Sequence, residues 1–298
     1  MKLDDFEAWT LEAQRAVEVA LEAWVPLDAP AGLGQAMRYG VLDGGKRLRP
    51  LLVMAASEAV HGHVQAALRA AVAVELIHAY SLVHDDMPCM DDDVLRRGKP
   101  TVHVRFGQAQ AMLAGDAMQA LAFEVLTPDD AELVPPALQA RLCALLARSA
   151  GHMGMAGGQA IDLASIGMDL DEAAVRDMHR RKTGALLQAS VLMGAACGTA
   201  DENARRALAD YGAAIGLAFQ VVDDILDVTQ ASETLGKTAG KDQEHNKPTY
   251  VTVLGLPAAR QHADDLCRQA HQALARLGLG PQAALLATLA DKVVEREH

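Results

Sequence analysis

Between His78 and His103 the chain reads HAYSLVHDDMPCMDDDVLRRGKPTVH. An apolar lead-in is followed by Asp85, Asp86, Asp91, Asp92 and Asp93 within nine residues, and then by Arg96, Arg97 and Lys99. Like charges one helical turn apart cost roughly 0.2–0.5 kcal/mol per pair. Five acids in such a run therefore need a break in the helix, cations between them, or both. Pro88 supplies the break, because it disfavours helical geometry at Met87 and has no N–H to give to the ladder. In an unbroken helix Asp91 would lie about 240° around the axis from Asp85. A distorted turn over 87–91 is predicted to bring Asp91 back toward Asp85 and Asp86, as a site for metal and phosphate.

The lead-in belongs to a long helix predicted over 65–87, apolar nearly all round and therefore central and buried. On it His78 lies about 20° from Asp85 around the axis and Ser81 about 40° from it, so one face carries all three. A second acid set lies in YGAAIGLAFQVVDDILDV, where Gln220, Asp223, Asp224 and Asp227 fall inside one arc of about 100°. Three carboxylates on one stripe of an apolar helix have no structural use. Near the start, GGKRLRP places a glycine pair before Lys46, Arg47 and Arg49, three bases spaced to meet an anion. Pro50 is expected to open the next helix at its first position.

Elsewhere the residues also favour helix. The hydrophobic share is 51% and the aromatic share only 3%, and a chain rich in Ala, Leu and Met loses little on entering helices, whereas sheets want β-branched and aromatic residues. Helices are predicted at 3–24, stopped by Pro26 and Pro30, around Gly34–Tyr39, at 108–126, at 137–150 and beyond 257. The glycine-rich stretch 151–162 reads as a close helix contact, with a substrate-facing kink as the alternative. Gly184 is expected to loosen the helix beside Lys182 and Thr183. Leu235–Tyr250, with Lys237, Lys241 and Lys247, is the expected mobile lid.

A length of 298 residues would allow two domains, but no linker, repeat or compositional boundary divides them, so a single domain over 1–298 is expected. A net charge of −12 excludes the basic face of a nucleic-acid binder. Cys89, Cys143, Cys197 and Cys267 show no CxxC spacing and read as small buried groups of a reducing compartment. The start, MKLDDFEAWT, lacks the basic-then-apolar order of a signal peptide, so the expected location is cytoplasmic. Thr183–Ala200 carries no charge, but its hydroxyls, amide and three glycines suit an interior helix better than a membrane span.

Carboxylate oxygens without imidazole or thiolate partners suit hard cations, and Mg²⁺ is commonly held by one or two carboxylates plus substrate phosphates. Two acid clusters on facing helices would clamp such ions around a diphosphate. The bases at 46–49 and 96–97 offer a second anion site without metal. Two diphosphates in an apolar helical barrel point to long hydrocarbon diphosphates, with C–O heterolysis favoured by metal charge and the cation shielded from water.

Taken together, GGKRLRP, HDDMPCMDDDVLRRGKPTVH, GGQAID, HRRKTGALL, FQVVDDILD and LGKTAGKDQEHNKPTY resemble the trans-isoprenyl diphosphate synthases, the bacterial farnesyl diphosphate synthases most of all, over roughly residues 36–250. The resemblance implies the all-α isoprenoid synthase fold, usually as a homodimer. It implies a prenyltransferase that condenses isopentenyl diphosphate head-to-tail with dimethylallyl and geranyl diphosphates, using about three Mg²⁺ per site. Asp85 and Asp91, helped by Asp86, would hold two ions, and Asp223, with Asp224 and Asp227 nearby, the third. Arg96, Lys182 and Lys237 would bind the allylic diphosphate, while Gly45, Lys46, Arg49, His78 and Arg97 would bind isopentenyl diphosphate. Thr183 and Gln220 would support the allylic cation through oxygen dipoles, and no protein nucleophile is needed.

Product length is implied by the residues before the first motif, an aromatic Tyr80 and a small Ser81, which resemble a farnesyl-type floor; a C20 geranylgeranyl product is the alternative. Ser81 lies one turn below Asp85, whereas Tyr80 points about 140° away, so its role rests on the resemblance alone. A terpene cyclase would carry a different second motif and no GGKRLRP, and a silent partner subunit would have lost an acid motif. Met87 and Cys89 depart from the more usual Leu and Ala. Lys292 stands where an aromatic is common, which questions closure of the C-terminus over the site.

Overall fold

The computed structural model describes residues 3–42, 44–229, 248–278 and 280–296. The helices are α1 (Leu3–Trp24), α2 (Leu33–Val41), α3 (Leu48–Ala59), α4 (Val64–Asp85), α5 (Val102–Phe106), α6 (Gln108–Leu126), α7 (Pro136–Ala150), α8 (Met155–Ala164), α9 (Glu172–His179), α10 (Ala185–Ala196), α11 (Glu202–Thr229), α12 (Tyr250–Leu254), α13 (Leu256–Ala275) and α14 (Ala284–Val294). Among the described residues the only strands are β1 (Leu95–Arg96) and β2 (Lys99–Pro100), an antiparallel hairpin with Arg96 opposite Lys99. The fold is all-α, as the composition requires.

Helix α4 is the central element because it is apolar on every side. Ala70, Ala71, Val72, Ala73, Val74, Leu76 and Ile77 are all fully buried, and α3, α6 and α10 pack around it. By length and composition α4 is also apolar enough to cross a membrane, with mean hydropathy 1.4, but 67% of that window is buried inside the protein. Two hydrophobic cores form. One gathers α4, α6 and α7; the other gathers α11, α13 and α14. Helices α3 and α10 contribute to both, with Val53 and Leu186 facing the first and Leu52 and Leu187 the second. The first acid motif therefore hangs from one core and the second from the other.

The glycine-rich stretch is a packing device. A Cβ on Gly158 would stand 2.1 Å from the backbone nitrogen of Lys182, so only glycine lets α8 lie against the turn that follows α9. That turn, Arg180–Gly184, is π-helical and runs without interruption from α9 into α10. It is the loosening expected at Gly184. On its far side a Cβ on Gly216 of α11 would come within 2.8 Å of the Gly184 Cα.

Several local expectations are corrected. Helix α3 starts at Leu48, two residues earlier than Pro50 implied, with Arg47 before it in left-handed geometry at φ 50°. Pro50 still sits in the first turn, where its missing N–H leaves no intrahelical bond unmade. Only Cys197 of the four free cysteines is buried; Cys89 is exposed on the turn that Pro88 creates. The uncharged stretch from Thr183 is divided between the π turn and α10. The lid expected over 235–250, including Lys237, Lys241 and Lys247, lies outside the described residues except for its last three.

Candidate active site

At the end of α4 the chain leaves helical geometry and folds back on itself. The Asp91 N–H donates to the Asp85 carbonyl at 2.9 Å, Asp92 to Met87 at 3.2 Å and Asp93 to Asp86 at 3.1 Å. This is the distorted turn expected of Pro88, and it docks Asp91 beside Asp85. Burial lifts the Asp85 carboxyl to about 6, with Lys182 pulling it down and Asp91 pushing it further up. The three groups thus act on one another, although Lys182 belongs to the π turn almost a hundred residues later.

Asp86 has a partner within the protein. Arg96 grips it through a fork: Nε donates to both carboxylate oxygens at 3.0 and 2.9 Å, and Nη2 donates to Oδ1 at 2.6 Å. Such a bidentate pair fixes the guanidinium plane, so Asp86 acts here as the support that aims Arg96. Lys182 is held in the same manner. Its Nζ lies 2.5 Å from Asp162 Oδ2, and Asp162 is only 4% exposed. Asp162 is the last residue of GGQAID, and no signal in the sequence pairs it with Lys182.

The basic side of the site gathers around His78. Burial, followed by Arg49, Arg97, Arg96 and Arg47, holds the imidazole well below its ordinary pKa, so it is neutral. His78, Arg96 and Arg97 line one pocket with Tyr39, Glu75 and Leu82. Arg97 lies against Gly45 and donates to the Gly44 carbonyl. Burial lowers the Arg49 guanidinium to about 10, and its buried Nε has no hydrogen-bond partner among the described residues.

Arg47 leaves the basic set. It is buried and bonded to Glu18 at 2.6 Å, to Glu75 at 2.6 Å and to the Val41 carbonyl at 2.8 Å. The left-handed backbone turns it inward, where it ties α1, α2 and α4 together. Lys46 stays exposed and feels the second motif as well: after burial, the groups acting most on its ammonium are Arg296 and Asp223.

On α11 the acid stripe divides by depth. Asp224 is buried, at 2% exposure. Its Oδ1 accepts from Gln220 Nε2 at 2.8 Å and its Oδ2 from the Tyr250 N–H at 2.8 Å. The Thr183 hydroxyl in turn donates to Gln220 Oε1 at 2.8 Å. Thr183, Gln220, Asp224 and the first N–H of α12 therefore form one chain of hydrogen bonds. His179 stands 3.9 Å from Asp224, but burial, with Lys182, lowers the imidazole to about 4, so this is no ion pair at neutral pH. Asp227 is buried too.

Asp223 faces the other way and meets Arg296, whose Nη2 donates to it at 3.1 Å while the guanidinium lies 4.2 Å over the Phe219 ring. The C-terminal segment does reach the site, through Arg296. Lys292 pairs instead with Glu295 at 3.6 Å. Tyr80 turns toward α6, stacking edge-on with His84 at 5.7 Å and bonding to Gln119, while the Ser81 hydroxyl folds back on the His78 carbonyl at 2.8 Å. Lys237 lies outside the described residues.

The π turn is thus the bridge between the motifs: Lys182 acts on Asp85, and Thr183 is bonded to Gln220 of α11. Around it lie acids of both motifs, whose carboxylate oxygens suit hard divalent cations, and a separate pocket of arginines around a neutral histidine. The chain matches the family described as polyprenyl synthetase over residues 30–277. It belongs to that family.

The relatives of this synthase fall into two groups by name. A chloroplastic geranylgeranyl pyrophosphate synthase 9 of Arabidopsis thaliana is 46% identical over 298 residues, 99% of this chain and 82% of its own. A farnesyl diphosphate synthase of Geobacillus stearothermophilus is 43% identical over 293 residues, 98% of each chain. The apo crystal structure of an FPP/GFPP synthase from Zymomonas mobilis superposes with a TM-score of 0.84 at 39% identity, over 97% of this chain and 99% of that one. The synthase is accordingly a trans-prenyltransferase with the all-α fold of the isoprenyl diphosphate synthases.

Proposed function

We propose that the synthase makes farnesyl diphosphate. The C–O bond of dimethylallyl diphosphate, and then of geranyl diphosphate, breaks to give an allylic cation and a diphosphate anion. The alkene of isopentenyl diphosphate attacks the cation, and the proton released goes to the departing diphosphate. The observation that carries this reading is the pair of differently built anion sites, one made of acids with anchored cationic side chains and the other made of arginines around His78.

Magnesium held by Asp85, Asp91 and Asp223, with Asp227 nearby, would supply the positive charge that stabilises the diphosphate as its bond to carbon breaks. The side chains do the orienting. Arg96, aimed by Asp86, and Lys182, aimed by Asp162, present fixed positive charge to the allylic diphosphate, with Lys237 expected to join them. Arg49 and Arg97, with Gly45 and Lys46, receive isopentenyl diphosphate, and neutral His78 adds a hydrogen bond without adding charge. Because the Thr183 hydroxyl proton is committed to Gln220, the lone pairs of that oxygen are left to face the cation.

The C15 length rests on the resemblance of Tyr80 and Ser81 to a farnesyl-type floor, with Tyr80 turned toward α6 through Gln119. The second reading, a C20 product, is favoured by the name of the 46% identical Arabidopsis relative. Purified protein given Mg²⁺, dimethylallyl diphosphate and labelled isopentenyl diphosphate should yield mainly a C15 alcohol after dephosphorylation and chromatography. A dominant C20 alcohol overturns the length, and no elongation overturns the activity. Ser81→Phe should shorten the product toward C10; an unchanged product removes Ser81 from the floor. A homodimer in the cytoplasm completes the reading, and sedimentation equilibrium tests the assembly.

A further inference from the structure

Away from both acid motifs, α13 and α14 bring together three side chains of a different chemistry. Cys267 and His271 stand one turn apart on α13, so they share a face, and Asp291 approaches from α14. His271 Nε2 lies 2.6 Å from Asp291 Oδ1, and Cys267 Sγ lies 3.7 Å from the same oxygen. All three donor atoms fall within 4.8 Å of one another. The imidazole and carboxylate are 41% and 45% exposed, so an ion has a path in. Asp264 and Glu295 also act on the Cys267 thiol, which burial and Asp291 push up to about 11. The Tyr211 hydroxyl feels Cys267 and Asp291 but is already bonded to the Leu286 carbonyl at 2.7 Å.

A sulfur, a nitrogen and an oxygen held by two helices form a donor set for a borderline cation such as Zn²⁺, whereas the acid motifs offer oxygen alone. One thiolate and one carboxylate would neutralise the dication, and the acids around them raise the local cation concentration. We propose that Cys267, His271 and Asp291 bind one zinc-class ion, with water as the fourth ligand, and that this ion fastens α14 to α13. Binding forms a metal–sulfur bond and releases the thiol proton to solvent. Since α14 ends just before Arg296, the same ion holds in place the segment that reaches Asp223.

The test uses the full-length chain, stripped with chelator and titrated with Co²⁺ while excess Mg²⁺ occupies the acid motifs. It is run in a Cys89→Ser background, because that exposed thiol lies beside the first motif. The expected result is a thiolate-to-cobalt charge-transfer band that saturates at one equivalent and is bleached by Zn²⁺. Cys267→Ser should abolish the band. Asp291→Asn, with fold checked by circular dichroism, should weaken Co²⁺ binding beyond the roughly 10–100-fold that loss of an outer-shell partner costs. A band that survives in Cys267→Ser overturns the proposal. So does its absence from the parent, which would leave the three side chains as a hydrogen-bonded contact only.

Discussion

The first acid cluster sits where a helix stops, and the second sits where a helix runs on. At 85–93 the backbone itself gathers the carboxylates, through three irregular hydrogen bonds downstream of Asp85. At 223–227 the backbone is regular α-helix, and burial sorts the carboxylates: Asp223 faces Lys46 and Arg296, while Asp224 is sealed in a chain of hydrogen bonds. In each cluster one acid is turned to support, Asp86 for Arg96 and Asp224 for Gln220. An acid-rich motif therefore divides between residues that face the substrates and residues that hold the first kind still.

Four tests put this division under strain, the second of them a paired comparison of Asp224 with Asp223. Asp85→Ala, at a position assigned to substrate and cation, should lower kcat by about a thousandfold, or about 4 kcal/mol, with the circular dichroism of the helices unchanged; wholesale unfolding would show the acid to be structural. Asp224→Ala strips the acceptor from Gln220 and from the Tyr250 N–H, and should cost about 2–4 kcal/mol of stability in urea titration. Asp223→Ala should cost under about 1 kcal/mol by the same measurement, and equal losses at the two sites would break the comparison.

The third concerns pH. Because the folded pKa of Asp85 is about 6, above its ordinary 3.8, the folded state holds that proton more tightly than the unfolded chain does. Its penalty to stability grows as pH rises through the window from about 4 to about 6. In chelator, Asp85→Asn should stabilise the protein at pH 7 on the order of 1–2 kcal/mol, taking about 1.4 kcal/mol per pKa unit and discounting for partial exposure, and should have almost no effect near pH 3.5. Bound Mg²⁺ favours the ionised carboxylate, so the acid limb of the parent's turnover should move to lower pH as Mg²⁺ is raised. The smallest effect belongs to Arg296→Gln, which should change stability by less than about 1 kcal/mol while raising KM a few-fold. A larger stability loss would make the C-terminal contact part of the fold.

Much of this was legible from periodicity and from proline. The α11 stripe could be drawn from 100° steps, and Pro88 announced the turn after α4. Which face of the stripe is buried could not be drawn, because that depends on Tyr250, 26 residues beyond Asp224, closing over one acid and not its neighbour. Arg96 found Asp86 through a hairpin of two-residue strands, too short to leave an alternating pattern. Arg47 looked like its basic neighbours until a left-handed φ turned it toward Glu18 and Glu75. Asp162 stood in plain sight in GGQAID, but only the approach allowed by Gly158 shows that it meets Lys182.

The π turn at Arg180–Gly184 bears on which changes of chain length this protein can accept. A wide turn holds one residue more than an α-helical turn, so losing one residue here would let α9 and α10 merge into a regular helix with better local hydrogen bonds. The same deletion would rotate everything before it by about 100° relative to α10, and Lys182 could not stay on Asp162 while Thr183 stayed on Gln220. Shortening the chain by a single residue at this point would favour the helix and disable the enzyme. Insertions and deletions that surface loops absorb freely should be absent from these five positions in any active variant.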